Sequence, residues 1–157
     1  MKKKLLIPII LLLGYSAFSQ HTDKLLNEYY SVKDALVNSN AVAASTAITA
    51  LQQTVKAENA FTQKDALAGV VDKLAKSRAI EKQRAAFNDV STILWKIVQD
   101  SDKVSETVYY QYCPMKKAYW LSEAPAIKNP YYGSAMLTCG KVAETRNNGD
   151  RSNPELS

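Results

Sequence analysis

The chain has 157 residues and a formal net charge of +5, and this length allows one domain with a core of ordinary size. Three of the positive charges, Lys2, Lys3 and Lys4, precede an apolar segment, and without them the formal charge falls to +2. So small a charge removes the electrostatic argument for nucleic acid or an acidic membrane as a partner.

The first 19 residues have the organisation of a secretory signal peptide. The lysines are followed by an apolar run from Leu5 to Leu13, and Ala17-Phe18-Ser19 places small residues at a cleavage site. The run is shorter than the roughly 20 residues that a transmembrane helix requires. We therefore predict a signal peptide over residues 1–19 and a periplasmic or secreted mature chain that begins at Gln20 and does not insert into the membrane.

Residues 22–100 have the sequence pattern of helices. They include no proline and only one glycine, Gly69, and apolar residues recur at spacings of three and four. Short connections favour antiparallel neighbours. We predict a mainly α fold, an antiparallel four-helix bundle over 22–100 with a short C-terminal Cys/Tyr-rich strand-and-loop cap over 104–145, as one domain (20–145). The four apolar stripes are Leu25, Tyr29, Val32 and Leu36; Ala44, Ile48, Leu51 and Val55; Leu67, Val70, Val71 and Leu74; and Phe87, Val90, Leu94, Ile97 and Val98.

Candidate helix caps lie between the stripes. Asn40 is expected to cap the second helix, and Thr62 with Asp65 resembles a capping box before the third. Ser77 is a candidate N-cap of the fourth helix.

The composition changes from about Val104 onward. Six of the nine tyrosines lie between residues 109 and 132, and prolines and glycines divide the segment into short pieces. The alternation over residues 108–112 predicts a short strand, and residues 118–121 are its expected partner. The polar residues 146–157 predict a flexible tail.

The sequence argues against an enzyme. The only histidine is His21, so neither a Ser-His-Asp nor a Cys-His arrangement is expected, and no phosphate-binding glycine loop or Cys-x-x-Cys pair occurs. After cleavage, His21 would be the second residue of the mature chain, where a terminal histidine without a fixed partner is expected. A Cu(II) chelate with the terminal amine is the alternative, but Gln20 tends to cyclise and so removes that amine.

Several stretches of the chain form a recognisable motif: Gln111-Tyr112-Cys113-Pro114-Met115, Ala118-Tyr119-Trp120-Leu121-Ser122, Ile127-Lys128-Asn129-Pro130-Tyr131-Tyr132-Gly133, Met136-Leu137-Thr138-Cys139-Gly140 and, near the start, Tyr29-Tyr30 with Lys33-Asp34-Ala35-Leu36. With these stretches the chain resembles, over roughly residues 25–145, a bacterial family known as domain of unknown function 3347. Members of that family tend to be exported, and related segments are fused to periplasmic adaptor subunits of heavy-metal efflux pumps. The resemblance therefore implies a metal context and a periplasmic efflux component as partner, but no reaction.

The sulfur residues of the predicted mature chain are confined to the same segment: Cys113, Met115, Met136 and Cys139. Thiolate and thioether groups select Cu(I), whereas methionine is not a usual zinc ligand. Cys113 and Met115 would share a face of an extended segment, and Met136 and Cys139 would share a face of a helical turn. One hypothesis is therefore a periplasmic accessory protein that binds a soft metal, Cu(I), through these four residues.

The alternative hypothesis is a structural or protein-interaction module. In an oxidising compartment the default for two cysteines is a disulfide, and a Cys113–Cys139 bond would fasten the cap. Met115 and Met136 would then fill the core. Both hypotheses require the two cysteines to be close in the fold.

Overall fold

The computed structural model describes residues 17–101 and 104–148. Residues 1–16 of the predicted signal peptide and residues 149–157 of the predicted tail lie outside this part of the chain. The described residues form four α-helices followed by a three-stranded sheet, so the fold is mainly helical, as predicted. No helix among the described residues is both long enough and apolar enough to cross a membrane.

The helices lie within the range that the apolar pattern predicts, except that α1 begins at Ala17, inside the predicted signal peptide. All the stripe residues are buried except Val70, which is half-buried, so the core comes from these stripes. The helix bounds are α1, Ala17–Val37; α2, Ala41–Ala57; α3, Lys64–Ala75; and α4, Ile80–Asp100.

Of the predicted caps, only that of α2 is confirmed. The backbone amide of Ala43 donates to the side-chain oxygen of Asn40 at 2.9 Å. The prediction for Thr62 is wrong because Gln63, in the left-handed region with φ 71°, occupies the N-cap position of α3 without a side-chain cap. The prediction for Ser77 is also wrong, since α4 starts after Ala79, which offers no capping side chain.

Hydrogen bonds join the ends of the helices. Near the start of α1, the hydroxyl groups of Thr22 and Ser101 are 2.8 Å apart, and Ser101 directly follows α4. At the opposite end, Arg84 in the first turns of α4 donates to the carbonyl oxygen of Leu36 near the end of α1. α1 also contacts α2, α2 contacts α3, and α3 contacts α4.

The predicted hairpin is present, with β1 at Val108–Cys113 and β2 at Ala118–Ser122. A third strand that the pattern did not predict, β3 at Lys141–Arg146, pairs with the other edge of β1, so the order is β2-β1-β3 and all pairs are antiparallel. Five successive residues of β3 are exposed, so the strand lacks the alternation that identifies a half-buried strand.

The sheet is attached to the helices by buried polar and aromatic contacts. Tyr29 on α1 contacts the hydroxyl of Ser91 at 2.7 Å, and its own hydroxyl accepts the backbone amide of Leu121 in β2 at 3.0 Å. The rings of Trp95 on α4 and Tyr110 in β1 are stacked, with centroids 4.8 Å apart. These contacts fix the position of the hairpin, and therefore of Cys113, relative to α1 and α4.

The prediction that the flexible tail begins at residue 146 is wrong for the first residue of that range. Arg146 is the last residue of β3, and its guanidinium group is buried and donates to the carbonyl oxygen of Ser101 at 2.8 Å. A buried donor needs such a partner, so Arg146 belongs to the folded domain.

Candidate functional site

Cys113 is the last residue of β1 and lies opposite Ala118 across the hairpin. Its side chain is completely buried. The residues that follow it, 114–117, form the tight turn into β2. The end of the strand therefore places one thiol in the interior, where water does not reach it.

Cys139 lies in a loop that Asn129 organises. The buried side-chain amide of Asn129 donates to the carbonyl oxygen of Cys139 at 2.7 Å, and the backbone amide of Asn129 donates to that of Leu137 at 2.8 Å. The side-chain oxygen of Asn129 also accepts the amide of Tyr131 at 2.8 Å. One asparagine thus fixes the backbone on both sides of Cys139.

Gly140 allows the loop to approach the sheet closely. It has φ 152°, and a Cβ atom at this position would lie 2.7 Å from Cη2 of Trp120 and 3.0 Å from the carbonyl oxygen of Tyr112. Both distances are shorter than van der Waals contact. Only glycine therefore lets the chain pass this point, which brings the preceding residue, Cys139, beside the end of β1.

The two thiols meet in the fold, 26 positions apart in the sequence. Partial burial raises the pKa of the Cys139 thiol, and a side-chain hydrogen bond with Cys113 raises it further. Both cysteines are free, so the disulfide expected under the alternative hypothesis is not formed in this structure. The pair is a contact between two thiols, one buried and one half-exposed.

The methionines are arranged differently from the thiols. Met115 lies in the turn between β1 and β2 and is 64% exposed. The prediction that it shares a strand face with Cys113 is therefore wrong. Met136 ends a short 3₁₀ helix, Gly133–Met136, and is 37% exposed. Its carbonyl oxygen accepts the backbone amide of Cys139 at 3.1 Å, so these two residues share one turn, as expected.

Two aromatic side chains, Trp120 and Tyr131, lie near the thiol pair, and their ring centroids are 6.1 Å apart. Gly140, directly after Cys139, approaches Trp120 closely. Burial raises the pKa of Tyr131 well above its usual value, and nearby Cys113 contributes to the same shift. The buried thiol of Cys113 therefore lies in a dry environment that disfavours an uncompensated negative charge.

His21 lies apart from this site. The expectation that it has no fixed partner is wrong. It is part of α1, and its Nδ1 contacts the carboxylate of Glu58, a buried residue directly after α2. Lys24 approaches the same carboxylate at 3.8 Å. Among the described residues, no group of three or more histidine, cysteine, aspartate or glutamate side chains could hold a metal ion.

Comparison with known proteins identifies the helical part of the chain. Residues 25–106, more than half of the sequence, match a family described as protein of unknown function (DUF3347). The chain belongs to this family. No curated protein and no solved structure matches this DUF3347 protein.

The matched range ends before β1, so Cys113, Met115, Met136 and Cys139 all lie beyond the part of this DUF3347 protein that the family description covers. The family therefore accounts for α1 to α4. The family match does not cover the thiol pair, so the chemistry of the pair follows from its own geometry.

Sequence reasoning identified the cysteines but missed the two residues that bring them together. The available signals were the Asn-Pro dipeptide at Asn129, typical of a turn, and Gly140 directly after a cysteine. Neither signal says which distant segment the loop contacts.

Proposed function

We propose that this protein is an exported accessory protein that binds a soft metal ion, Cu(I), between Cys113 and Cys139. The observation that carries the proposal is the contact between these two thiols. Two adjacent sulfur donors, one of them buried, suit Cu(I), which prefers thiolate and thioether ligands to oxygen. When bound, the metal would supply a soft Lewis acid that stabilises both thiolates.

The two cysteines would have different roles. Cys139 is half-exposed and would be the thiol that a metal donor reaches, whereas Cys113 is buried and would hold the ion away from water. A thiol binds metal only after it loses its proton. Because the pKa of Cys139 is raised, binding should weaken as the pH falls.

Met115 and Met136 are proposed as weaker, additional ligands at the surface. Met136 lies one turn before Cys139 and is partly exposed, which supports a role for its thioether near the accessible thiol. Met115 lies two residues after Cys113, in an exposed turn. Thioethers at this position favour transfer of copper to or from a partner, and a periplasmic metal-efflux component is the partner that we propose.

The test is a competition titration with Cu(I) and a chromogenic chelator under anaerobic reducing conditions. Cys139→Ser should lower the affinity at least about tenfold, because serine offers no soft donor. Met136→Leu keeps the side-chain volume and should lower the affinity by less. Leu137→Ala changes an exposed apolar residue between them and serves as the matched control, with unchanged affinity.

The double variant Cys113→Ser/Cys139→Ser decides the outcome. Because Cys113 is buried, the fold of the double variant is checked by circular dichroism before the copper titration. If a folded double variant and the wild type take copper equally weakly, the metal proposal is wrong.

The second candidate is a non-catalytic interaction module. It is favoured by the exposed large apolar side chains, since all but Val42 of those described lie in the cap: Met115, Met136, Leu137 and Val142. Exposed apolar side chains are typical of contact surfaces where they form a contiguous patch, and this candidate requires these four to do so. A failed copper titration together with capture of a defined efflux component by the wild type, lost in Met115→Asp, would support this candidate.

We further propose that the four helices are arranged as an antiparallel bundle. The contacts of Thr22 with Ser101, of Arg84 with Leu36, and of His21 with Glu58 support this arrangement. A spin label at exposed Lys24 should broaden amide signals near the ends of α2 and α4. Broadening near the start of α2 instead would refute an antiparallel pair.

A further inference from the structure

A cavity of about 520 Å³ lies beside the turn between β1 and β2. Three separate parts of the chain form its wall: the first turns of α4, the turn between β1 and β2, and the loop that leads into the 3₁₀ helix. The wall carries four charged side chains, which distinguishes this cavity from the small, mainly apolar one beside His21.

Positive charge predominates in the wall. Arg84, Lys116 and Lys117 line the cavity, and Glu81 is the one acidic residue among its lining side chains within the described part of the chain. No carboxylate of the described residues lies within ion-pairing distance of the three cations. A concave surface with one sign of charge concentrates counter-ions of the other sign.

Arg84 is held in place by neutral partners. Its Nε donates to the carbonyl oxygen of Pro130 at 2.8 Å, and its Nη2 donates to that of Leu36 and to the hydroxyl of Ser39, each at 2.9 Å. Burial lowers the pKa of Arg84, and the negative charge of nearby Glu81 offsets part of this shift. The bonds fix the plane of the guanidinium group and involve Nε and Nη2, which leaves Nη1 as a fixed donor.

Two further groups complete a set of donors. The side-chain oxygen of Asn88 accepts the amide of Tyr119 at 2.8 Å, so the remaining polar group of Asn88 is its N–H₂ donor. The ammonium group of Lys116 lies 5.0 Å from the ring centroid of Tyr132. This contact keeps the flexible lysine against the cavity wall.

We propose that this cavity binds a small oxoanion with two or more negative charges, of the phosphate or carboxylate class. Arg84 and Asn88 would supply fixed hydrogen-bond donors, and Lys116 and Lys117 would supply mobile positive charge across the entrance. Guanidinium groups suit planar and tetrahedral oxoanions, since their donors form a rigid fork. The site is independent of the thiol pair and does not require a metal.

The test is isothermal titration calorimetry of the purified protein with pyrophosphate and, separately, with citrate at low ionic strength. The wild type should bind at least one of them with a dissociation constant below about 1 mM. Binding of pyrophosphate alone identifies the phosphate class, and binding of citrate alone identifies the carboxylate class. The affinity should fall as sodium chloride is added.

The double variant Lys116→Gln/Lys117→Gln should bind at least about tenfold more weakly, because both mobile charges are lost. Lys82→Gln/Lys96→Gln removes the same charge from exposed positions of α4 outside the cavity and should bind as the wild type does. Glu81→Gln should strengthen binding, since it removes the opposing charge.

The proposal is overturned if neither anion binds the wild type at millimolar concentration. It is also overturned if the two double variants lose affinity equally, because the effect would then be that of net charge alone. Both double variants change only exposed lysines, so their folding is not at risk.

Discussion

Replacing Gly140 with alanine tests how the thiol pair is assembled. The added methyl group would lie 2.7 Å from Cη2 of Trp120 and 3.0 Å from the carbonyl oxygen of Tyr112. Neither neighbour can easily move, because the Trp120 side chain is fully buried and the carbonyl belongs to β1. The loop that carries Cys139 is therefore expected to shift away from the sheet.

Two effects of Gly140→Ala lower the free energy of unfolding and one raises it. Alanine at φ 152° is strained by about 1–3 kcal/mol. Overpacking against Trp120 adds about 1–3 kcal/mol. The lower entropy of the unfolded chain returns about 0.4–1 kcal/mol. The expected net loss is about 1–6 kcal/mol, a large part of the stability of a small domain.

The matched control is the same substitution at Gly69. This glycine lies within α3, and a Cβ atom there would have no neighbour within 4 Å. Gly69→Ala should therefore stabilise the protein by about 0.5–1 kcal/mol through helix propensity. The same chemical change should thus have opposite signs at the two positions.

The measurement is urea unfolding, followed by far-ultraviolet circular dichroism, of the wild type and both variants. Alkylation of Cys139 should also be faster in Gly140→Ala, because the thiol leaves its contact with Cys113. A change in the unfolding free energy below about 0.5 kcal/mol would refute the reasoning, because the close approach to Trp120 would then not contribute to stability.

Two other predictions use the same unfolding assay. Asn40→Ala should destabilise the protein by about 1 kcal/mol because Asn40 caps α2, whereas Thr62→Ala should change stability by less than about 0.5 kcal/mol; equal losses would contradict the assigned caps. The unfolding free energy should also fall above about pH 10. Burial raises the pKa of Tyr29 and Tyr131 above the usual 10.0, so the folded protein keeps protons that the unfolded chain releases as the pH rises. Equal urea concentrations at the unfolding midpoint at pH 8 and at pH 11 would contradict this prediction.

The helical core could be predicted from sequence because the signal is local. Residues three and four apart share one helix face whatever lies beyond it, so the stripes from Leu25 to Val98 identified the buried positions. The hairpin was predicted for a similar reason, since residues 108–112 alternate and the turn residues follow at once.

Local patterns were insufficient where the chain environment decides the outcome. Thr62 and Ser77 are good capping residues by type, yet α3 and α4 begin later, at Lys64 and Ile80, after N-cap residues that make no side-chain cap. β3 carries no alternation, since its residues from Lys141 to Thr145 are exposed. Its identity as a strand comes only from pairing with β1.

By itself, the sequence determined the helical class of the protein and its core residues, and it placed every sulfur residue except Met1 in one segment. The signal peptide stays a prediction. Only the tertiary structure decided that Cys113 and Cys139 meet, that Met115 does not lie on the strand face of Cys113, and that Arg84 faces the lysines of the β1–β2 turn. Periodicity shows only which residues share a face within one helix or one strand. The contact between Cys113 and Cys139 joins residues that are far apart in the sequence, and it depends on the loop that Asn129 and Gly140 hold against the sheet.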